Sequence, residues 1–261
     1  MKSSGSSGHV SIIGAGPGDP ELLTVKAMRA IEAADVIMYD RLVNKEVLQY
    51  AKPDVELVYC GKAPSKHAMT QTDINAALVQ YAFQGKRIVR LKGGDPFIFG
   101  RGGEEALELA AAGIAYTIIP GITSAIGAAA AAGIPMTHRH VATSFACVTG
   151  YRSPDNHKPV RWDLLAHSVD TLAIYMGVSQ LASIQQELLQ AGKAASTPIA
   201  FIEQGTLPEQ RIIIGTLGGM NELANTSKLI NPSLIIIGDV VRIREQLHAA
   251  ILHAQELRHI G

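Results

Sequence analysis

The chain has 261 residues, 47% of them hydrophobic and 18% charged, an ordinary globular composition with room for one large core or two modest ones. Lys plus Arg equals Asp plus Glu at 23 each, so no global field favours nucleic acid or an acidic surface, and an anionic ligand has to be held by a local cluster. Cys60 and Cys147 lie far apart without metal-ligand spacing and read as buried free thiols in a reducing, cytoplasmic compartment.

Residues 1–8 read as a flexible leader or a remnant of cloning, because they lack the apolar stretch of a signal peptide. From residue 9 the signals alternate. Strands are expected over 9–13, 35–39, 55–60, 87–91 and 115–119, and helices over 21–34, 70–83 and 104–112. Pro20 falls in the first turn of the first helix. Thr70 and Asp73 are spaced as a capping box. Such alternation implies right-handed crossovers and a mostly parallel sheet.

The most apolar stretch, 118–136, is broken by Pro120, Gly121, Gly127, Gly133 and Pro135 and reads as a buried Ala-rich helix rather than a membrane span. Residues 135–141 carry Pro135, His138 and His140 and read as a hinge. Strands follow over 143–149, 171–176, 198–203, 211–216 and 233–238, with helices over 181–190 and 244–257. The closeness of 198–203 to 211–216 predicts a hairpin and a mixed sheet. The expected fold is therefore two α/β domains, 9–137 with a parallel-rich sheet and 138–261 with a mixed one.

Two glycine loops sit at expected strand ends, where open α/β sheets bind ligands. Lys92 to Glu105 holds five glycines, one proline and the carboxylate of Asp95, with Arg101 and Glu104 one helical turn apart. Gly14 to Asp19 occupies the place of a dinucleotide fingerprint, with Asp40 where a ribose-binding acid would lie. Its glycines are spaced Gly-x-Gly-x-Gly, however, and Asp19 would set a negative charge where a pyrophosphate belongs. A NAD-dependent oxidoreductase is the weaker reading of this loop.

The motifs Gly14-x-Gly-Pro-Gly-Asp-x-x-Leu-Leu-Thr24, Tyr39-Asp-Arg-Leu-Val43, Gly93-Gly-Asp-Pro-Phe97, Gly100-Arg-Gly-Gly-Glu104 and Pro120-Gly-Ile-Thr-Ser124 occur together in one order. This chain resembles the tetrapyrrole methylases, and among them the uroporphyrinogen-III C-methyltransferases. Met136-Thr-His-Arg139, Tyr175-Met-Gly177 and Gly205-Thr206 carry the resemblance into the second half. It implies two α/β domains with S-adenosylmethionine in the cleft between them, a homodimer, and methylation of uroporphyrinogen III at C2 and C7 to give precorrin-2 for sirohaem, cobalamin or haem d1. The dehydrogenase–ferrochelatase to which some related chains are fused is not expected here. A precorrin methylase acting at another ring carbon is the nearest alternative.

The resemblance also places residues. Pro17, Gly93, Gly94, Asp95, Ile98, Thr123, Ser124, Met176 and Gly205 are expected around the methyl donor. That donor has no phosphate, so carbonyls, a carboxylate and hydroxyls suit it better than a cationic cradle. The residues by themselves favour core packing for Met176 and Ile98, and a helix cap is compatible with Thr123 and Ser124. Arg101, Glu104 and Arg139 are expected at the substrate's carboxylates, which suit the guanidinium fork. Asp40 and Lys62 match the positions of a proton acceptor and a proton donor. Arg101 is a rival for proton abstraction, although a guanidinium is a poor base.

Overall fold

The computed structural model describes residues 8–61, 69–151 and 159–249. The chain forms two compact units, one ending at Thr123 and one beginning at Ser124. The sequence reading places the division later, at 137/138. The difference lies in the Ala-rich helix, whose Ala125, Ala128 and Ala129 are buried in the core of the second unit.

In the first unit β1 (His9–Gly14), β2 (Val36–Tyr39), β3 (Glu56–Tyr59), β4 (Arg87–Lys92) and β5 (Ala115–Ile119) form one sheet in the order β3-β2-β4-β1-β5. Every pairing is parallel. Period-two alternation along the strands serves two buried faces. Val10, Ile12, Met38 and Ile88 meet Leu78 and Leu109 from α2 (Gln71–Phe83) and α3 (Gly102–Ala111). Ile13, Ile37, Val89 and Leu91 meet Ala27 and Ile31 from α1 (Val25–Ala33). The capping box of α2 forms as read, with Thr70 and Asp73 each bonding the other's backbone N–H.

The helix expected over 21–34 is divided. A 3-10 turn, Pro20–Leu22, is capped by Asp19, whose Oδ1 accepts from the Glu21 N–H at 2.8 Å. Leu23 and Thr24 are extended, and the Thr24 hydroxyl starts α1 afresh by accepting from the Ala27 N–H at 3.2 Å. The first glycine loop thus leads into a short turn already capped by its own carboxylate, not into an α-helix open to a pyrophosphate. A further 3-10 stretch, Lys45–Tyr50, is too irregular to register as helical periodicity.

The second unit holds α4 (Ser124–Ala131), β6 (Phe145–Thr149), α5 (Trp162–Ser168), β7 (Thr171–Tyr175), α6 (Leu181–Gln190), β8 (Pro198–Glu203), β9 (Arg211–Thr216), α7 (Met220–Thr226) and β10 (Ser233–Ile237). Its sheet order is β6-β7-β10-β8-β9. Only β6 and β7 pair in parallel among these neighbours, and the β8–β9 hairpin forms as expected. Small α4 residues pack on one face with Ala173, Ala200 and Ile236. Trp162, Leu188 and Met220 of α5, α6 and α7 cover the other. With seven residues each, α5 and α7 are too short for sequence periodicity to disclose. The chain is helical again over 240–249, earlier than the expected start at 244, and 250–257 lie outside the described residues. Among the described residues no helix is long and apolar enough to cross a membrane.

Candidate active site

All strands of the first sheet run in one direction, so the turns that follow them gather along one edge. Pro17 follows β1, Asp40 follows β2, Gly93 to Glu104 follow β4, and Thr123 follows β5. The connection leaving β1 runs to β2, beyond β4, whereas the connection leaving β4 runs to β5, beyond β1. Neighbouring strands whose connections part in opposite directions open a crevice at their C-terminal ends. Here those neighbours are β1 and β4.

Both glycine loops start at this point, and they are joined. The Gly94 N–H donates to the Gly16 carbonyl at 2.7 Å, and the Gly16 N–H donates to the Gly94 carbonyl at 3.2 Å. The turn after β5 closes on the same spot. A Cβ on Gly121 would stand 2.3 Å from the Gly94 oxygen, and one on Gly14 would stand 2.4 Å from it. Only glycine lets three backbones approach so closely. Asp95 binds the junction: Oδ1 accepts from the Phe97 N–H at 2.8 Å, and Oδ2 accepts from the Gly121 N–H at 3.1 Å. Gly94 itself has φ +67°, and the nearest atoms to a Cβ there would be those of Thr123, 3.8 Å away. Space above a backbone junction with a fixed carboxylate, and with no cation bonded to that carboxylate among the described residues, fits a donor that is itself cationic at sulfur and nitrogen.

Asp40 lies at the rim of a buried charge cluster. Its Oδ1 accepts from the Leu42 N–H at 3.1 Å, and its Oδ2 stands 3.6 Å from the Arg90 guanidinium. Arg90 also donates through Nε to Glu105 at 3.1 Å and through Nη1 to the Leu91 carbonyl at 3.1 Å. Lys92 donates to the same Glu105 oxygen at 2.7 Å, and Gln71 does so at 3.2 Å. Burial, reinforced by the Arg90 charge, pushes the Lys92 ammonium below its ordinary range, while Glu105 pulls it back up. Burial likewise pushes the nearby Cys60 thiol up. The sequence reading takes Lys92 and Glu105 only as the ends of the second glycine loop and Arg90 as part of a strand, and gives none of them a role as a charge. The available signal was charge at alternate positions of a strand otherwise buried on both faces, since such cations need a buried partner.

Lys62 lies outside the described residues. Arg101, in a left-handed conformation at the start of α3, forms a two-pronged pair with Glu104 at 2.9 and 2.7 Å. The hydrogen-bonded pairing raises the Arg101 pKa and lowers that of Glu104, as each ion favours the other's charged form. Both side chains are more than half exposed, so the pair is open to solvent and contributes little stability.

The second unit assembles its own candidates around α4. Ser124 begins the helix. The next residue, Ala125, donates its N–H to the Tyr175 hydroxyl at 2.7 Å, which brings the end of β7 and hence Met176 to the start of α4. Gly205 sits against the following turn, where a Cβ would stand 2.3 Å from that of Ala128. Core packing does not hold for Met176 or Ile98, which are 48% and 40% exposed. Met176 has φ +53°, a conformation that turns it away from the alternation of β7. Arg139 is exposed in a turn closed by paired backbone hydrogen bonds between His138 and Ala142. This turn belongs to the second unit, although sequence reading treats it as a hinge.

Residues 9–221 match the family model of the Tetrapyrrole (Corrin/Porphyrin) Methylases. The chain belongs to the tetrapyrrole methylases. A uroporphyrinogen-III C-methyltransferase from Priestia megaterium is 55% identical over 234 residues, which cover 90% of this chain and 98% of that protein. Among solved tetrapyrrole methylases, the uroporphyrin-III C-methyltransferase from Thermus thermophilus complexed with S-adenosylhomocysteine is 39% identical. It superimposes with a TM-score of 0.77 over 90% of this chain and 94% of the other. A cobalt precorrin-4 methyltransferase is 27% identical with a TM-score of 0.79, covering 89% and 95% of the two chains.

Proposed function

We propose that this tetrapyrrole methylase is the S-adenosylmethionine-dependent uroporphyrinogen-III C-methyltransferase, adding methyl groups at C2 and C7 to give precorrin-2 and S-adenosylhomocysteine. The observation that carries the reading is the junction of the loops after β1, β4 and β5, bound by Asp95 at the topological switch point. The similarity to proteins so named supports the substrate. The cobalt precorrin-4 methyltransferase shares the architecture to a similar degree but much less of the sequence, which favours the uroporphyrinogen reading over the other.

S-adenosylmethionine supplies a sulfonium methyl group to an electron-rich ring carbon. On this reading Pro17, Gly93, Gly94, Asp95, Ile98, Thr123, Ser124, Met176 and Gly205 hold that donor. The Asp95 carboxylate favours a cationic ligand and disfavours a pyrophosphate. Arg101, Glu104 and Arg139 receive the tetrapyrrole, with the guanidinium groups matched to its carboxylates. The ring carbon spends its electron pair on the new C–CH3 bond and leaves the macrocycle cationic. Asp40 accepts the proton that the macrocycle then loses from another carbon, whose C–H electron pair restores neutrality, a contribution of about 10²- to 10⁴-fold. Lys62 as proton donor rests on the resemblance alone. Because a guanidinium keeps its proton, Arg101 orients the substrate and leaves proton abstraction to Asp40.

The enzyme is assigned to the cytoplasm as a homodimer. Buried Cys60 and partly buried Cys147, both unpaired thiols, suit a reducing compartment. Exposed Leu57, Tyr116 and Phe145 on the edge strands β3, β5 and β6 suit association with a second copy. The deciding experiment is anaerobic incubation with S-adenosylmethionine and enzymatically generated uroporphyrinogen III. A product heavier by two methyl groups is expected. A folded, donor-binding protein that yields no dimethylated tetrapyrrole would refute the assignment.

A further inference from the structure

We propose that Glu105 is a positioning residue for methyl transfer, acting on Asp40 through Arg90. The inference rests on the role given to Asp40 above. Glu105 is fully buried, and its Oε1 receives Arg90, Lys92 and Gln71. Its Oε2 has no hydrogen-bond partner among the described residues. Arg90 is 3% exposed, and its guanidinium is committed in three directions: to Glu105, to the Leu91 carbonyl and towards Asp40. A planar fork fixed at two corners presents its third in one direction. Asp40, whose side chain is 31% exposed, is therefore met from below by a cation that cannot swing away, while the Leu42 N–H holds its other oxygen.

Stability alone is a poor account of this cluster. Desolvating four charges offsets much of their attraction, and apolar replacements at such sites are often neutral or better. Its charges are arranged as a chain. Lys92 balances Glu105, which frees Arg90 to serve both Glu105 and the rim carboxylate. Without Glu105 the guanidinium loses its inner anchor, and the carboxylate that receives the ring proton loses its fixed orientation.

Glu105→Gln keeps the shape but leaves two buried cations facing one carboxylate, so Glu105→Gln with Lys92→Met serves as the charge-balanced companion. S-adenosylhomocysteine affinity, measured by calorimetry, reports whether the donor site survives. The expected result is unchanged donor affinity, a kcat for uroporphyrinogen III lowered roughly 10- to 100-fold, and a KM within about twofold of the parent. The Asp40→Asn background tests the route. There the same pair of substitutions should cost less than about twofold further, because their effect passes through a group already removed.

A full additional loss in the Asp40→Asn background would overturn the inference and leave the Asp40 assignment standing. An Asp40→Asn variant with undiminished kcat would remove the Asp40 assignment and this inference with it. Loss of donor affinity in both Glu105 variants would mark the cluster as a folding element and overturn the proposal.

Discussion

Asp95 carries one negative charge and two structural bonds, to Phe97 and Gly121, so a change at this residue tests the donor site with little change in volume. Asparagine would turn one acceptor into an N–H facing another N–H. Removing a hydrogen bond to a charged group costs on the order of 1.5–3 kcal/mol. Asp95→Asn should accordingly weaken S-adenosylhomocysteine binding by roughly 10-fold or more in calorimetry, with the circular dichroism spectrum retained. Unchanged affinity would take Asp95 out of the donor site. The sequence singles out this residue as a carboxylate inside a glycine loop, and the structure gives it two backbone partners there. The exposure of Met176 and Ile98 was not legible from the residues themselves, since an apolar side chain by itself reads as core, and only the resemblance set them at the methyl donor. The Arg90–Glu105 pair escaped notice for a related reason. Fifteen positions apart, with one on a strand and one on a helix, they show no spacing that a local pattern could register.

At the scale of elements, the alternation of strands and helices predicted the parallel sheet, and the close spacing of β8 and β9 predicted the hairpin. What the sequence hid were helical elements of seven residues or fewer, such as α5, α7 and the turns at Pro20–Leu22 and Lys45–Tyr50. Apolar periodicity needs about two or three turns to become visible. The start of β2 illustrates how a single side chain can hold elements in register. Asp35 accepts from the Lys52 ammonium at 2.7 Å and from the Arg87 N–H at 2.8 Å, fastening the entry of β2 to that of β4. Chiefly the Lys52 bond, then the Arg87 amide, holds its carboxyl well below the ordinary range. A carboxyl depressed in the folded state stabilises the fold above the unfolded value of about 4, and this contribution is lost as pH falls through the folded value. Asp35→Asn should therefore cost about 1 kcal/mol near neutrality, a figure reduced by partial solvent screening. The gap from the parent protein should narrow in urea titrations as pH falls below about 4. A gap that stayed constant with pH would assign the effect to shape and not to charge.

For the molecule as a whole, the two α/β units and their sheet types followed from the order of the elements, whereas their division did not. Pro135 and the two histidines look like punctuation, but the Ala-rich helix before them is core to the second unit, so packing moved the division to 123/124. The motifs that carry the chemistry are short, and each is ambiguous alone. Their common order identified the family, because five loops must be supplied by one fold. A homodimer makes a plain prediction at this scale: light scattering at micromolar concentration should give twice the chain mass. Charged substitutions at Leu57, Tyr116 and Phe145 should lower it if those edges are the contact. A monomeric mass for the unaltered chain would reject the assignment.

The bridge between Gly16 and Gly94 has a kinetic consequence. Each conversion to precorrin-2 consumes two donor molecules, so the spent nucleoside must leave and a fresh one enter between the two methyl transfers. A wall whose loops are already tied to each other need not reassemble at each exchange. Refilling is then a matter of diffusion and vacancy, and the interval between the first and second methyl groups should be set by how fast the product nucleoside departs.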